Sequence, residues 1–138
     1  MKTIKQLSIF LENRQGSLKK ILGTLSDQDI EIQAASVADT NDYGILRLIT
    51  SNQRKAWTLL TDTGVLVNVN EVLAIAIEDS MTAFAKAVST LTDNGVGISY
   101  LYTFIKNGKL VLIIRPTDLE KACSVAETNG LTLIQGWE

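Results

Sequence analysis

The stretch Leu7-Ser8-Ile9-Phe10-Leu11 returns 66 residues later as Leu73-Ala74-Ile75-Ala76-Ile77. In both stretches apolar residues stand at every second position, which is the period of a β-strand. The same spacing continues along the chain, since the apolar pattern of Leu18, Ile21, Leu22 and Leu25 returns as Phe84, Ala87, Val88 and Leu91. A repeat at a fixed spacing predicts two copies of one structural unit.

Each half of the chain shows the same order of predicted elements, β-α-β-β-α-β. Helices are indicated by apolar residues at i, i+3, i+4 and i+7, and the hairpin of the second half by the turn pair Asn107-Gly108. Gly95 marks the end of the second half's first helix, where Asp29 is a weaker stop in the first half. The first half is predicted to have strands 4–11, 31–38, 45–51 and 65–69 and helices 17–28 and 53–63. The second is predicted to have strands 72–77, 97–105, 110–115 and 131–135 and helices 83–94 and 118–129.

This order predicts an α+β fold with two ferredoxin-like βαββαβ units in tandem. Strand-helix-strand crossovers are right-handed, so each unit is expected to form an antiparallel sheet with both helices on one face. We place the domains at residues 1–70 and 71–138. The connection Asn68-Val69-Asn70-Glu71 is short and lacks a flexible composition, so we expect the halves to pack together.

Two strands are apolar on both faces, Leu73-Ala74-Ile75-Ala76-Ile77 and Leu110-Val111-Leu112-Ile113-Ile114. A sheet with one face in water shows a clearer alternation of apolar and polar residues. We therefore expect the second face, or a strand edge, to be covered by the other repeat or by another chain, and we predict a homodimer.

The amino-acid composition argues against an enzyme. The chain of 138 residues contains no histidine and one cysteine, which removes histidine-dependent nucleophilic systems and zinc sites made of imidazole or thiolate. Cys123 falls in a helix-like stretch and is predicted to be a small buried apolar residue. Catalysis by carboxylates alone is not excluded by this composition. The acidic residues fall mostly in turns and on exposed helix faces, which favours solvated charges, so we predict no catalytic site, no cofactor and no metal.

Charge and hydropathy exclude two further classes of partner. The 13 basic and 15 acidic residues are mixed along the chain, which does not suit a nucleic-acid-binding surface. No apolar run approaches the roughly 18 residues of a membrane-spanning helix. The first residues, Met1-Lys2-Thr3-Ile4-Lys5-Gln6, lack the features of a secretory signal, so a cytoplasmic location is expected.

The aromatic residues leave alternatives open. Tyr100, Tyr102 and Phe104 alternate and so share one face of a strand, where filling of a core or interface is favoured over ligand or base stacking. RNA readers of the same β-α-β-β-α-β order carry aromatics on their central strands in a basic surround. Neither predicted third strand contains an aromatic residue, which disfavours RNA binding. Trp57 and Trp137 are either exposed for a partner or docked on a sheet edge.

The first turn carries a resemblance to a known family. The segment Phe10-Leu11-Glu12-Asn13-Arg14-Gln15-Gly16-Ser17-Leu18, with Leu25-Ser26-Asp27-Gln28-Asp29-Ile30-Glu31-Ile32, resembles the ACT domain family, whose members have an Asn/Asp-x-Pro-Gly-x-Leu turn. Gln15 replaces the common proline, and Gly16 is kept. The segment Ile77-Glu78-Asp79-Ser80-Met81-Thr82-Ala83-Phe84 is similar to a diverged copy in which Met81 and Thr82 replace the Pro-Gly pair.

The resemblance implies a non-enzymatic regulatory protein of the stand-alone type, which binds a small amino acid at an interface between such domains. Its partner would be an amino-acid biosynthetic enzyme. The competing hypothesis is an interaction module that docks on such an enzyme without binding a ligand. The altered second turn favours this alternative.

The chemistry of a free amino acid suggests the site. Unpaired amides at a helix start suit a carboxylate, Gly16 lets a ligand approach the backbone, and Asn13 or Arg14 can bind the charged groups. Asn, Gly and Ser are also ordinary turn and cap residues, which is the competing explanation. The predicted ligand-binding residues are Asn13, Arg14, Gln15, Gly16, Ser17 and Leu18, with Ile32 and Ala34 as an apolar wall. A possible second site comprises Asp79, Ser80, Met81 and Thr82.

Overall fold

The computed structural model describes residues 2–12, 16–39 and 43–135. The chain divides into two compact units, one formed by Lys5–Asn70 and the other by the described residues from Glu71 onward together with those before Lys5. The first half contains β1 (Ile4–Glu12), α1 (Ser17–Ser26), β2 (Ile32–Asp39), β3 (Tyr43–Thr50) and α2 (Gln53–Asp62). The strand β4 (Val67–Ile77) follows, and then α3 (Met81–Asp93), β5 (Ile98–Lys106), β6 (Lys109–Pro116), α4 (Leu119–Thr128) and β7 (Thr132–Leu133).

Both sheets are antiparallel. In the first unit β3 lies between β1 and β2, with Leu48 opposite Leu7 on one side and Ala35 on the other. In the second unit β6 lies between β4 and β5, and β7 pairs with the other side of β4. The predicted α+β fold of two βαββαβ units is confirmed.

The repeat extends to irregular features of the backbone. The register of β2 on β3 shifts between Ile32 and Ala34, and that of β5 on β6 shifts 66 residues later, between Ile98 and Tyr100. Duplicated irregularities of this kind follow when two units share one backbone plan, because a bulge redirects a strand in a defined way.

Each unit has its own apolar core between the sheet and two helices. Strand residues at alternate positions contact both helices, which places the two helices on the same face of each sheet, as predicted. The fully buried members of the first core include Leu7, Ile9, Leu25, Leu48 and Leu60, and those of the second include Leu73, Ile75, Leu91 and Leu112.

The opposite face of the second sheet is buried as well. Ala74, Val111 and Ile113 alternate with the core residues of their strands and are at most 1% exposed in a single chain. These apolar residues are therefore covered without a second copy, and they no longer support the predicted homodimer. Tyr102 and Phe104 stand opposite Ile113 and Val111 and are half-buried.

One sequence expectation about the strands is wrong. The residues Asn68-Val69-Asn70-Glu71 were expected to connect strands 65–69 and 72–77, but β4 continues from Val67 to Ile77 without a break. Val67, Val69 and Val72 have high strand propensity, which outweighs the turn preference of the two asparagines. The final strand is shorter than the predicted 131–135, covering Thr132–Leu133.

Several smaller expectations have clear outcomes. Cys123 is buried, as predicted, and Trp57 is 42% exposed on α2. Trp137 lies outside the described residues. None of the helices in the described part of the chain has the length and hydropathy to cross a membrane. Among those residues no group of three acidic or thiol side chains is arranged to hold a metal ion.

Candidate functional site

The start of α1 presents backbone donors without a side-chain cap from its own N-cap residue. Gly16 occupies the N-cap position with φ of 93°, a left-handed conformation that suits glycine. Its carbonyl accepts the N–H of Lys20 at 3.0 Å, which leaves the amides of the first turn without a partner inside the helix. Unpaired amides at a helix start form a favourable environment for an anion.

The other three helices are capped by their own N-cap side chains. The side chain of Asn52 accepts the N–H of Lys55, and the side chain of Asp118 accepts the N–H of Lys121, both at 3.0 Å. Ser80 caps α3 in the same way. Among these helices α1 therefore differs in that its own N-cap residue, Gly16, provides no side-chain cap.

A cavity of about 440 Å³ lies at this helix start, within the first unit. Its volume falls toward the lower end of the range of roughly 300–1,000 Å³ that small-molecule sites occupy. The walls come from the end of β1, the first turns of α1 and the segment that follows α2. The lining residues are Phe10, Glu12, Gly16, Ser17, Lys20, Ile21, Thr63, Gly64, Val65 and Leu66.

The walls of the cavity combine charge with apolar surface. Glu12 and Lys20, which are both exposed, supply a carboxylate and an ammonium group. The apolar part comes from Phe10, Ile21, Val65 and Leu66. This combination is suited to a zwitterion with an apolar portion, because each part of such a ligand meets a matching group.

The segment Thr63–Leu66, which we call the α2–β4 turn, is fixed by hydrogen bonds at both ends. The Thr63 hydroxyl donates to the Leu60 carbonyl at 2.6 Å, and the Gly64 N–H donates to the Thr61 carbonyl at 3.0 Å. At the other end the Leu66 carbonyl accepts the Phe10 N–H at 3.1 Å. The turn is therefore a wall of defined position along β1.

The predicted ligand-binding residues are distributed between the cavity and its surroundings. Gly16 and Ser17 line the cavity, and the Ser17 hydroxyl donates to the Glu12 carbonyl at 3.3 Å. Leu18 packs partly buried against the core. On β2, Ile32 is 42% exposed and Ala34 is buried, and neither borders this cavity. Asn13, Arg14 and Gln15 lie outside the described residues.

Eight lining residues were not identified from the sequence. Lys20 and Ile21 follow Ser17 by three and four residues, so helical spacing alone would have placed them beside it. Phe10 and Glu12 belong to the strand that leads into the predicted turn. The α2–β4 turn had no such signal, because only pairing with β1 brings it next to α1.

The second turn differs from the first in that the side chain of its N-cap residue accepts a hydrogen bond from the helix. The Ser80 hydroxyl oxygen accepts the Ala83 N–H at 3.1 Å, and the Ser80 carbonyl accepts the Phe84 N–H at 3.1 Å. Ala83 and Phe84 are the repeat equivalents of Ser17 and Leu18, so the second copy bonds these donors internally. Met81 is 79% exposed at the start of the helix, and Asp79 and Thr82 are exposed beside it.

Fold and site together define a tandem pair of βαββαβ units with a ligand-sized cavity in the first. Residues 2–137 match the family model described as an ACT domain pair. The chain therefore belongs to the ACT domain pair family, and ACT domains are regulatory modules.

Solved structures share this fold. Protein BT0572 from Bacteroides thetaiotaomicron is 35% identical with a TM-score of 0.89, and the match covers 96% of this chain and 92% of that one. The ligand-free regulatory subunit of aspartate kinase from Thermus thermophilus is 12% identical with a TM-score of 0.60, covering 92% and 91%. The corresponding subunit from Thermus flavus is 12% identical with a TM-score of 0.57, covering 93% and 96%. No curated protein matches the chain.

Proposed function

We propose that this chain is a non-enzymatic regulatory protein of the cytoplasm that binds a small amino acid and signals its presence to an enzyme of amino-acid metabolism. The observation that carries the proposal is the cavity at the start of α1, where Gly16 leaves the first turn without a side-chain cap of its own. The ACT domain pair family supports the regulatory role.

The two charged groups of the ligand determine its orientation in the cavity. Its carboxylate accepts hydrogen bonds from the first-turn N–H groups of α1. This environment favours an anion by about 0.3–1 kcal/mol, and by up to about 2 kcal/mol when partly buried. Lys20 adds a positive charge on the same side, and Glu12 offers an oxygen to the ammonium group. Asn13, Arg14 and Gln15 complete the turn in sequence and are part of the proposed site.

The bound ligand produces a signal by stabilising one conformation of the first unit. The cavity borders β1, α1 and the α2–β4 turn, so a bound ligand links three elements that otherwise meet through the core. Coupling of this kind is typically worth about 1–3 kcal/mol between two sites. The likeness in fold to regulatory subunits of aspartate kinase supports a biosynthetic enzyme as the partner. ACT domain proteins often form dimers, and we propose that this chain acts as a homodimer.

The test is a thermal-shift screen of the common amino acids followed by calorimetry. A ligand at about 100 times its Kd adds roughly 2.7 kcal/mol of stability, which gives a measurable rise in Tm. The variant Gly16→Val is expected to abolish the shift. Gly108→Val is the matched control, because Gly108 also has positive φ and open space around its Cβ position, but it lies in the β5–β6 hairpin.

The proposal fails if no amino acid at millimolar concentration raises the Tm of the wild-type protein. It also fails if Gly16→Val binds the ligand with unchanged affinity.

A second candidate function is an interaction module that binds no ligand, and the edge strand β2 favours it. Ile32 and Val37 are 42% and 52% exposed on this strand, and no charged residue lies between Glu31 and Asp39. An unprotected apolar edge is a template for pairing with another chain. A stoichiometric partner that is recovered equally with and without amino acids, and is lost in Val37→Lys, would establish this function.

A further inference from the structure

We infer that Leu66 forms the side-chain subsite of the ligand and that the site selects free α-amino acids whose apolar side chain is larger than a methyl group. This inference rests on the proposed function, because it concerns the ligand of the same cavity. It assigns a specificity-determining role to the α2–β4 turn, which lies outside the turn predicted from the sequence.

The first argument is the exposure of Leu66. Leu66 is 62% exposed while it lines the cavity, so a large apolar surface faces water there. Its repeat equivalent is Thr132, which is exposed at the corresponding place in the second unit and carries a polar side chain. The backbone plan at this position is therefore compatible with a polar residue, and the fold does not require leucine there.

The second argument is the contrast between Leu66 and its neighbour. Val65 is partly buried and packs against the first core, as its repeat equivalent Leu131 packs against the second. The residue that packs on the core is thus apolar in both units, whereas the neighbouring residue is apolar only in the unit whose first helix has a glycine at its N-cap. The leucine at position 66 is therefore explained by its place in the cavity wall and not by a requirement of the fold.

The third argument is that the subsite is fixed in position. The Leu66 carbonyl is bonded to the Phe10 N–H, and the turn before it is closed by the Gly64 N–H on the Thr61 carbonyl. Such a wall does not need to be ordered when the ligand binds, so contact with it contributes to affinity directly. Phe10, which is 39% exposed, and Ile21 line the same cavity.

These observations define the class of ligand. A branched aliphatic or aromatic side chain removes Leu66 from water as well as its own surface, which favours binding in proportion to the apolar area buried. A charged or amide side chain would lose hydration against Val65 and Leu66 without a hydrogen-bonding partner from either of them. A methyl group is too small to cover the exposed leucine.

The experiment measures the Kd values of alanine, valine, leucine, isoleucine, phenylalanine, glutamine and aspartate by calorimetry. The proteins are the wild type, Leu66→Thr, which introduces the residue of the second unit, and two controls. Val69→Thr removes an exposed apolar side chain of the first unit outside the cavity, and Thr132→Leu places leucine at the equivalent position of the second unit.

The wild type is expected to bind an apolar amino acid larger than alanine most tightly. Leu66→Thr should raise the Kd of that ligand about tenfold, which is near the lower end of the range for the loss of a methylene contact in an apolar pocket. It should change the affinity for alanine by less than about threefold, and both controls should behave like the wild type.

Three results would overturn the inference while leaving the proposed function intact. The first is a wild type that prefers a polar, charged or methyl-sized amino acid. The second is a Leu66→Thr protein that retains the wild-type order and strength of binding. The third is a Val69→Thr protein that loses as much affinity as Leu66→Thr. If the wild type binds no amino acid, the proposed function and the inference fail together.

Discussion

The side-chain oxygen of Gln53 accepts the buried N–H of Thr50 at 2.9 Å, and it also accepts the Thr50 hydroxyl at 2.6 Å. In the second unit the residue equivalent to Gln53 is Leu119, and the residue equivalent to Thr50 is Pro116. Proline has no N–H that needs a partner. The amide group of Gln53 additionally donates to the Lys5 and Leu48 carbonyls. The first unit thus uses a buried polar network where the second uses apolar residues.

This network predicts the effect of Gln53→Leu. The variant supplies the residue found in the second unit but leaves the Thr50 N–H and the Leu48 carbonyl without their partner in a buried place. Each buried group left unsatisfied costs about 1–3 kcal/mol, so we expect a loss of about 3 kcal/mol in the free energy of unfolding, measured by urea denaturation. Asn52→Ala, which removes only the exposed cap of α2, should cost about 1 kcal/mol. Equal losses in the two variants would contradict a role for the network.

The cap of α3 predicts a separation of stability from ligand binding. Ser80→Ala removes the acceptor of the Ala83 N–H and should lower the free energy of unfolding by about 1 kcal/mol. The affinity for the amino acid should not change, because the second turn has no part in the proposed site. A loss of ligand affinity in Ser80→Ala, measured by calorimetry, would show that the second turn also contributes.

The left-handed conformation of Gly16 predicts different effects for two substitutions. Gly16→Ala introduces a Cβ at φ of 93° and should lower the free energy of unfolding by about 1–2 kcal/mol. Gly16→Asn should cost less, because asparagine tolerates this region of backbone space. Since no heavy atom lies within 4 Å of the added Cβ, the cost arises from the backbone and not from a clash. Equal stability of Gly16→Ala and the wild type in urea would contradict this conformation.

The end of α1 offers a stabilising substitution. Asp29 has φ of 58°, whereas its repeat equivalent Gly95 has φ of 81°. Asp29→Gly should raise the free energy of unfolding by about 0.5–1 kcal/mol, because it relieves the left-handed strain at the end of the helix. Gly95→Ala is the reverse control and should be destabilising, because an alanine is strained at φ of 81°. A destabilised Asp29→Gly protein would contradict the argument.

The buried cysteine predicts a dependence of stability on alkaline pH. Burial raises the pKa of the Cys123 thiol, so the folded chain keeps a proton that the unfolded chain loses above its ordinary pKa of about 8.5. When the unfolded state binds fewer protons, stability falls as pH rises. Wild type should therefore lose more stability than Cys123→Ala between pH 8 and pH 10 in urea titrations. Parallel pH profiles would show that the folded thiol titrates normally.

Much of the fold followed from the repeat. Alternation in Leu7–Leu11 and Leu73–Ile77 predicted the strands, and helical spacing predicted the helices with ends within about two residues. The continuity of β4 through residues 68–71 was missed because the two asparagines suggest a turn, whereas the strand propensity of the neighbouring valines outweighs that preference.

What the sequence determined by itself is the local plan: two copies of β-α-β-β-α-β, a glycine at the start of α1, and a core residue at each repeated apolar position. These features depend on side-chain periodicity and on the backbone freedom of single residues. Only the tertiary structure placed Thr63–Leu66 beside Gly16, because a hydrogen bond between Phe10 and Leu66 joins segments 56 residues apart. A cavity is made by such distant pairings, and no local pattern encodes which segments will form its walls.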